Sequence, residues 1–246
     1  MSPTQALLWK EWTEHRWKLA FGAVMLACFA GVLLGWGGIS DREMILLLPF
    51  AGGLIFSILN AMGTFAQEHS EGTVLFLATR PFETWKVFLG KWFIGWVNTI
   101  VPLIACGLIL RLWFGSPSES SPVSRYLVSG TLVAAWTATM LYSLTCCATL
   151  RRGGPAAVGL GGLLWAGIMI LHLVLADIIV NSISGMTPSL FGTLALVNPI
   201  SIWGLVASDS SLRNPPWLLI AVWIAEQGIL LAVTLWIGLR NWKRSV

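Results

Sequence analysis

Residues 19–38 read LAFGAVMLACFAGVLLGWGG, twenty positions without a charged side chain. A helix of about 17–25 mostly apolar residues crosses a hydrocarbon core, where the backbone must satisfy its own hydrogen bonds. The stretch is therefore predicted to be a transmembrane helix. Comparable runs recur at about residues 44–66, 87–114, 126–150, 155–179 and 217–239. Over all 246 residues, apolar types make up 56 % and charged types only 11 %, with a mean hydropathy of +0.78. Soluble domains carry roughly a quarter charged residues, so a water-soluble fold has no way to hide this much apolar surface. The predicted class is all-α: a polytopic integral membrane protein with six transmembrane helices. The run at 19–38 is too long for a signal-peptide core and is followed by further spans, so it is expected to stay in the mature chain.

Ahead of that run, Ser2-Pro3-Thr4-Gln5 has the composition of a helix start: Ser2 can cap, Pro3 suits the first turn and Gln5 can reach back. On a helical wheel Leu8, Trp12 and Leu19 share one face, and Lys10, Glu14 and Lys18 the other, with charges spaced four apart. An amphipathic helix lying along the membrane surface is predicted. The net charge of +4 does not point to nucleic acid, because the basic residues sit between apolar runs, where they set orientation. With both termini cytoplasmic, the inside carries Lys10, Arg16, Lys18, Arg80, Lys86, Lys91, Arg151, Arg152, Arg240, Lys243 and Arg244. Arg42, Arg111, Arg125 and Arg213 fall outside, and eleven against four fits the positive-inside rule.

The segment 181–214 is broken by Pro188 and Asn198-Pro199 and is predicted to form short or re-entrant external helices. Of the 15 tryptophans, Trp85, Trp113, Trp217 and Trp242 lie near span ends, as an interfacial belt requires. Cys28, Cys106, Cys146 and Cys147 lie inside predicted spans without C-x-x-C spacing; they are read as packing residues, with neither metal nor disulfide expected. Gly31 and Gly35, and then Gly53, Ser57 and Ala61, recur at helical spacing and suit close helix contact, within one chain or between two protomers.

Between the second and third runs lies the most informative polar stretch, QEHSEGTVLFLATRP over 67–81. Glu68 and Glu71 favour a helix N-terminus, and Pro81 disfavours helix at Arg80, so a cytoplasmic helix of about two turns is predicted between them. Val74, Leu77 and Ala78 form its apolar face. Such a helix suits either docking into another protein or resting on lipid headgroups.

At this point the chain resembles the type-2 ABC exporter permeases. Their pattern of an acidic residue, Gly-Thr, Phe or Leu positions, a Pro and a later Gly-Lys is similar to Glu68, Gly72-Thr73, Phe76-Leu77, Pro81 and Gly90-Lys91. The opening Leu8-Trp9-Lys10-Glu11-Trp12 resembles their surface helix. The resemblance covers nearly the whole chain, 1–246, as one permease domain. It implies a multi-pass protein of the cell inner membrane and a dimer of permease protomers, identical or not, bound to two ABC ATPase subunits. It also implies a coupling helix seated on the ATPase through Glu68, Glu71, Gly72, Thr73, Phe76, Leu77 and Pro81, and cargo passing between protomers. The chain carries no phosphate-binding loop: Gly90-Lys91 is followed by Trp92 rather than Ser or Thr, and Trp85 replaces the upstream Gly. No cofactor, metal or catalytic residue is expected, and ATP hydrolysis is assigned to a partner chain.

Ionisable residues inside a span cost about 2.5–3.5 kcal/mol on insertion scales and often mark function. Glu226 lies near the middle of the last run, His172 and Asp177 in the outer part of the fifth, and Arg111 near the outer end of the third. Glu226 and His172 are candidates for a cargo path, or for hydrogen bonds between helices. The alternative class is an intramembrane hydrolase or lipid-modifying enzyme. It lacks support, because the stretch Asn181–Gly185 misses the Gly two residues before Ser184 and neither paired histidines nor clustered aspartates occur. A channel would need a selectivity segment, and none is recognisable.

Overall fold

The structure is a computed structural model that describes residues 3–35, 42–66, 83–114, 122–152, 156, 159–168, 170–171 and 217–245. Among these residues there is no strand, and every one except Glu83 is helical. The chain is all-α over this range. The helices are α1 (Pro3–Gly35), α2 (Arg42–Ala61), α3 (Thr84–Phe114), α4 (Pro122–Arg152), α5 (Gly159–Ile168) and α6 (Trp217–Ser245). A π-helical turn, Met62–Ala66, continues α2. Among the described residues one helix, Thr84–Leu112, is long and apolar enough to cross a membrane; Gly52–Phe65 and Gly159–Ile168 are shorter apolar helices.

α1 corrects one expectation. A surface helix ending near Lys18 was to be separate from a span starting at Leu19, but the helix runs through for 33 residues, about 50 Å. Residues 4–21 contain neither Gly nor Pro, so nothing there removes a helical hydrogen bond or frees the backbone. The inward stripe also differs. Glu11, Gly22 and Leu26 are buried and Lys18 is half-buried, whereas Trp9 and Trp17 are exposed. Lys18, expected on the polar outer face, points into the bundle.

Register follows from the contacts. α1 and α3 run parallel: Glu11 meets Lys91, and Gly22 lies against Pro102. α2 is antiparallel to α3, through Asn60 to Thr99 and Phe65 to Phe88. α4 is antiparallel to α3, through Trp96 to Thr139 and Trp92 to Ser143. α6 runs parallel to α4, through Trp136 to Gln227 and Cys147 to Thr234. The small stripe Gly53, Ser57 and Ala61 is buried inside this one chain: a Cβ on Gly53 would meet Leu103 and Ala138. Cys106 and Cys146 are buried free thiols and Cys147 is a half-buried one.

As a result, one end of the bundle gathers the N-terminal part of α1, the end of α2, the start of α3 and the ends of α4 and α6. Ala61, Phe65, Val87, Phe88, Tyr142, Cys146, Leu150 and Trp242 form a single buried cluster there. Trp242 is a second correction. It was expected at an interface, but α6 continues to Ser245 and its tip tucks Trp242 against Phe65 at 1 % exposure.

Candidate functional site at the flanks of residues 67–82

Glu68, Glu71, Gly72, Thr73, Phe76, Leu77 and Pro81 lie outside the described residues, as do His172 and the segment 181–214. Glu226 lies in α6, but its side chain is outside the described set. The structure does describe both flanks of 67–82, and they are tied together.

The leading flank is the π-helical turn. Thr64 donates its hydroxyl to the Asn60 carbonyl at 2.7 Å and lies 3.2 Å from the Tyr142 hydroxyl. A side chain that occupies a helix carbonyl loosens the i→i+4 ladder, and Gly63 beside it has weak helical preference. Both features are compatible with a π turn at this point, although the same hydroxyl-to-carbonyl bond also occurs within regular α-helix at Thr99 and Thr139. The Gly63 carbonyl, whose helical partner would lie beyond Ala66, accepts from Lys18 Nζ of α1 at 3.2 Å. A Cβ at position 63 would collide with that ammonium group.

The trailing flank begins at Glu83. Its carbonyl accepts from Lys86 N (2.9 Å) and Val87 N (3.3 Å), starting α3. Its exposed carboxylate accepts from Lys86 Nζ at 2.8 Å and from Trp85 Nε1 at 2.5 Å. These bonds, that to Lys86 first, hold the Glu83 carboxyl below its ordinary value. A carboxylate at a helix N-terminus also complements the helix dipole.

Four contacts join the flanks to each other and to the rest of the bundle. Phe65 stacks on Phe88 with centroids 5.5 Å apart and meets Trp242 edge-on at 5.7 Å. Tyr142 of α4 donates to the Trp92 carbonyl at 3.1 Å, while Gly95 leaves room for its hydroxyl. Lys91 donates to Glu11 at 2.5 Å, with both side chains 2 % exposed. A buried ion pair of this kind is costly to break on one side only.

Deeper in the bundle, Gln227 is fully buried; its Oε1 accepts from Trp136 Nε1 at 3.1 Å, and its Nε2 has no hydrogen-bond partner among the described residues. It neighbours Glu226 in sequence. Sequence reasoning passed over Gln227, Asn60, Tyr142 and Glu83, and it placed Lys18 on the polar outer face. For Gln227 and Asn60 a signal existed, a polar amide inside an apolar run, of the same kind that singled out Glu226.

Buried ring, hydroxyl and ion-pair contacts therefore tie the residues just before 67 to those just after 82. Among the described residues no group of three His, Cys, Asp or Glu could hold a metal ion. No protein-family model matches the sequence, and no curated protein matches it.

Proposed function

We propose that this chain is the membrane permease subunit of a type-2 ABC exporter, working as a dimer with a second permease protomer and driven by a separate ABC ATPase. It would lie in the cell inner membrane with both termini cytoplasmic and six spans, and residues 68–81 would carry the coupling helix. Glu226 and His172 would line or support the cargo path.

The observation that carries this proposal is the Glu11–Lys91 pair. Leu8–Trp12 and Gly90-Lys91 are separate pieces of the family-like pattern, eighty residues apart, and they supply the two halves of one buried ion pair. A chance match to two degenerate motifs gives no reason for their charged members to meet. The distribution of polarity supports the membrane setting. Ser57, Asn60, Thr64, Thr99 and Ser143 are buried, while Leu112 is 84 %, Leu163 71 % and Ile229 64 % exposed. That pattern suits lipid around the bundle and hydrogen-bonded polar groups within it.

The test is a double substitution, Phe76→Asp with Leu77→Asp, which puts charge into the apolar contact area that the coupling helix would offer the ATPase. A desolvated, unpaired charge is costly at a protein contact. The altered permease is expected to insert normally but to lose co-purification with its ATPase and stimulation of ATP hydrolysis. Normal assembly and coupled transport in this variant would refute the coupling assignment.

A further inference from the structure

We infer that Lys18, reaching across from α1, holds the turn Met62–Ala66 in its wide i→i+5 form and so fixes the rotational phase in which the chain enters residues 67–82. The coupling proposal assigns a role to 67–82 but says nothing of what orients it. The structural part of this inference rests on the contacts alone; only its consequence for transport rests on the coupling proposal.

A π turn holds one more residue per hydrogen-bonded loop than an α turn. Tightening it to i→i+4 spacing would rotate everything beyond it by about 100° about the helix axis, one residue's share of an α turn. The sequence contains the means for both forms. Gly63 tolerates either backbone, and the Thr64 hydroxyl already occupies the Asn60 carbonyl. What distinguishes the wide form is the company it keeps. In it the Gly63 carbonyl receives Lys18 Nζ, Thr64 reaches Tyr142, and Phe65 sits between Phe88 and Trp242. Phe65 and Tyr142 belong to the buried cluster, with both side chains wholly inaccessible. Lys18 differs from them in belonging to α1, the helix that also grips the far flank through Glu11 and Lys91. Glu11 and Lys18 are two helical turns apart on one stripe, so α1 touches both flanks of 67–82 from one side. An ammonium donor on a backbone carbonyl is a charge-assisted bond, here at 3.2 Å.

The test uses the full-length permease alone, without an ATPase, so that its outcome does not depend on the coupling assignment. The chain is labelled with 5-fluorotryptophan and the Trp242 line is assigned by its loss in Trp242→Phe. Because Phe65 lies edge-on to Trp242, a rotated turn changes the ring current at that fluorine. Lys18→Met, which keeps the stem and removes the donor, is expected to move or split the Trp242 line by more than its width. Lys18→Arg, which restores a donor, is expected to return it to the wild-type position, and Lys10→Met, at an exposed lysine of the same helix, to leave it there. Gly63→Ala places a methyl where the Lys18 ammonium sits and is expected to move the line as Lys18→Met does, which keeps the test decisive if Lys18→Met does not accumulate. A Trp242 line unmoved by the donor-removing variant, or moved equally by Lys10→Met, would overturn the inference.

Discussion

Glu11 of α1 and Lys91 of α3 form an ion pair at 2.5 Å from which solvent is almost entirely excluded. The two helices run parallel with the same offset of eighty residues here and at Gly22 and Pro102, so the pair sits in register with the apolar contact further along. It joins the N-terminal part of the chain to the start of α3, eight residues after Glu83.

Breaking one side of this pair should cost far more than replacing both. Removing one partner of a buried pair strands the other charge and destabilises by about 3–5 kcal/mol, whereas a well-packed apolar replacement of both is often close to neutral. Glu11→Met and Lys91→Met are each expected to lower the unfolding midpoint of the purified protein strongly. Glu11→Met combined with Lys91→Met is expected to recover most of the loss. A double variant whose destabilisation equals the sum of the singles would show that the two charges do not depend on each other.

The elements legible in the sequence are those set by local composition. The predicted runs 44–66, 87–114 and 126–150 coincide within a few residues with α2 and its π turn, α3 and α4. What stayed hidden depends on the direction each helix turns. Lys18 reads as a surface charge, because Lys10 and Glu14 share its wheel face, and only its contact with the Gly63 carbonyl of a distant helix reveals that it is turned inward. Trp242 lies among Arg240, Lys243 and Arg244 and so reads as interfacial, yet Phe65, far away in sequence, provides its seat. Glu11 and Lys91 are each visible as motif members, but nothing in either stretch announces the pairing. Of the site, then, the sequence supplies the parts, and packing between distant helices supplies their joints.

The orientation of the bundle is open to direct labelling. The ends of the helices that meet around Phe65, Phe88, Leu150 and Trp242 are the ones the basic residues assign to the inside. Single cysteines placed at Asp41, Glu119 and Asp209, in a background lacking the four native ones, are expected to react with an impermeant reagent from outside. Cysteines at Arg151 and Lys243 are expected to react only after the membrane is opened. Labelling of Arg151→Cys in sealed cells would require the opposite orientation or a different number of spans.

The start of α3 should be sensitive to acid through Glu83. Its carboxylate accepts from Lys86 and Trp85, and both bonds favour the ionised form, Lys86 the more. The folded-state value is therefore lower than the ordinary value of 4.5. A group depressed in this way contributes its stabilisation fully above the unfolded value and loses it as pH falls through the folded one. Because the carboxylate is exposed, the effect is confined to the first turn and does not reach global unfolding. Amide exchange of a peptide covering Lys86 and Val87 reports it, read as the difference between wild type and Glu83→Gln at each pH, which cancels the intrinsic dependence of exchange on acid. The wild-type turn is expected to be better protected near neutral pH, and the difference to vanish below the folded-state value. A difference that persists undiminished in acid would mean that the side chain acts by shape or neutral hydrogen bonding rather than by its charge, and the link from Glu83 to Lys86 would no longer account for how α3 begins.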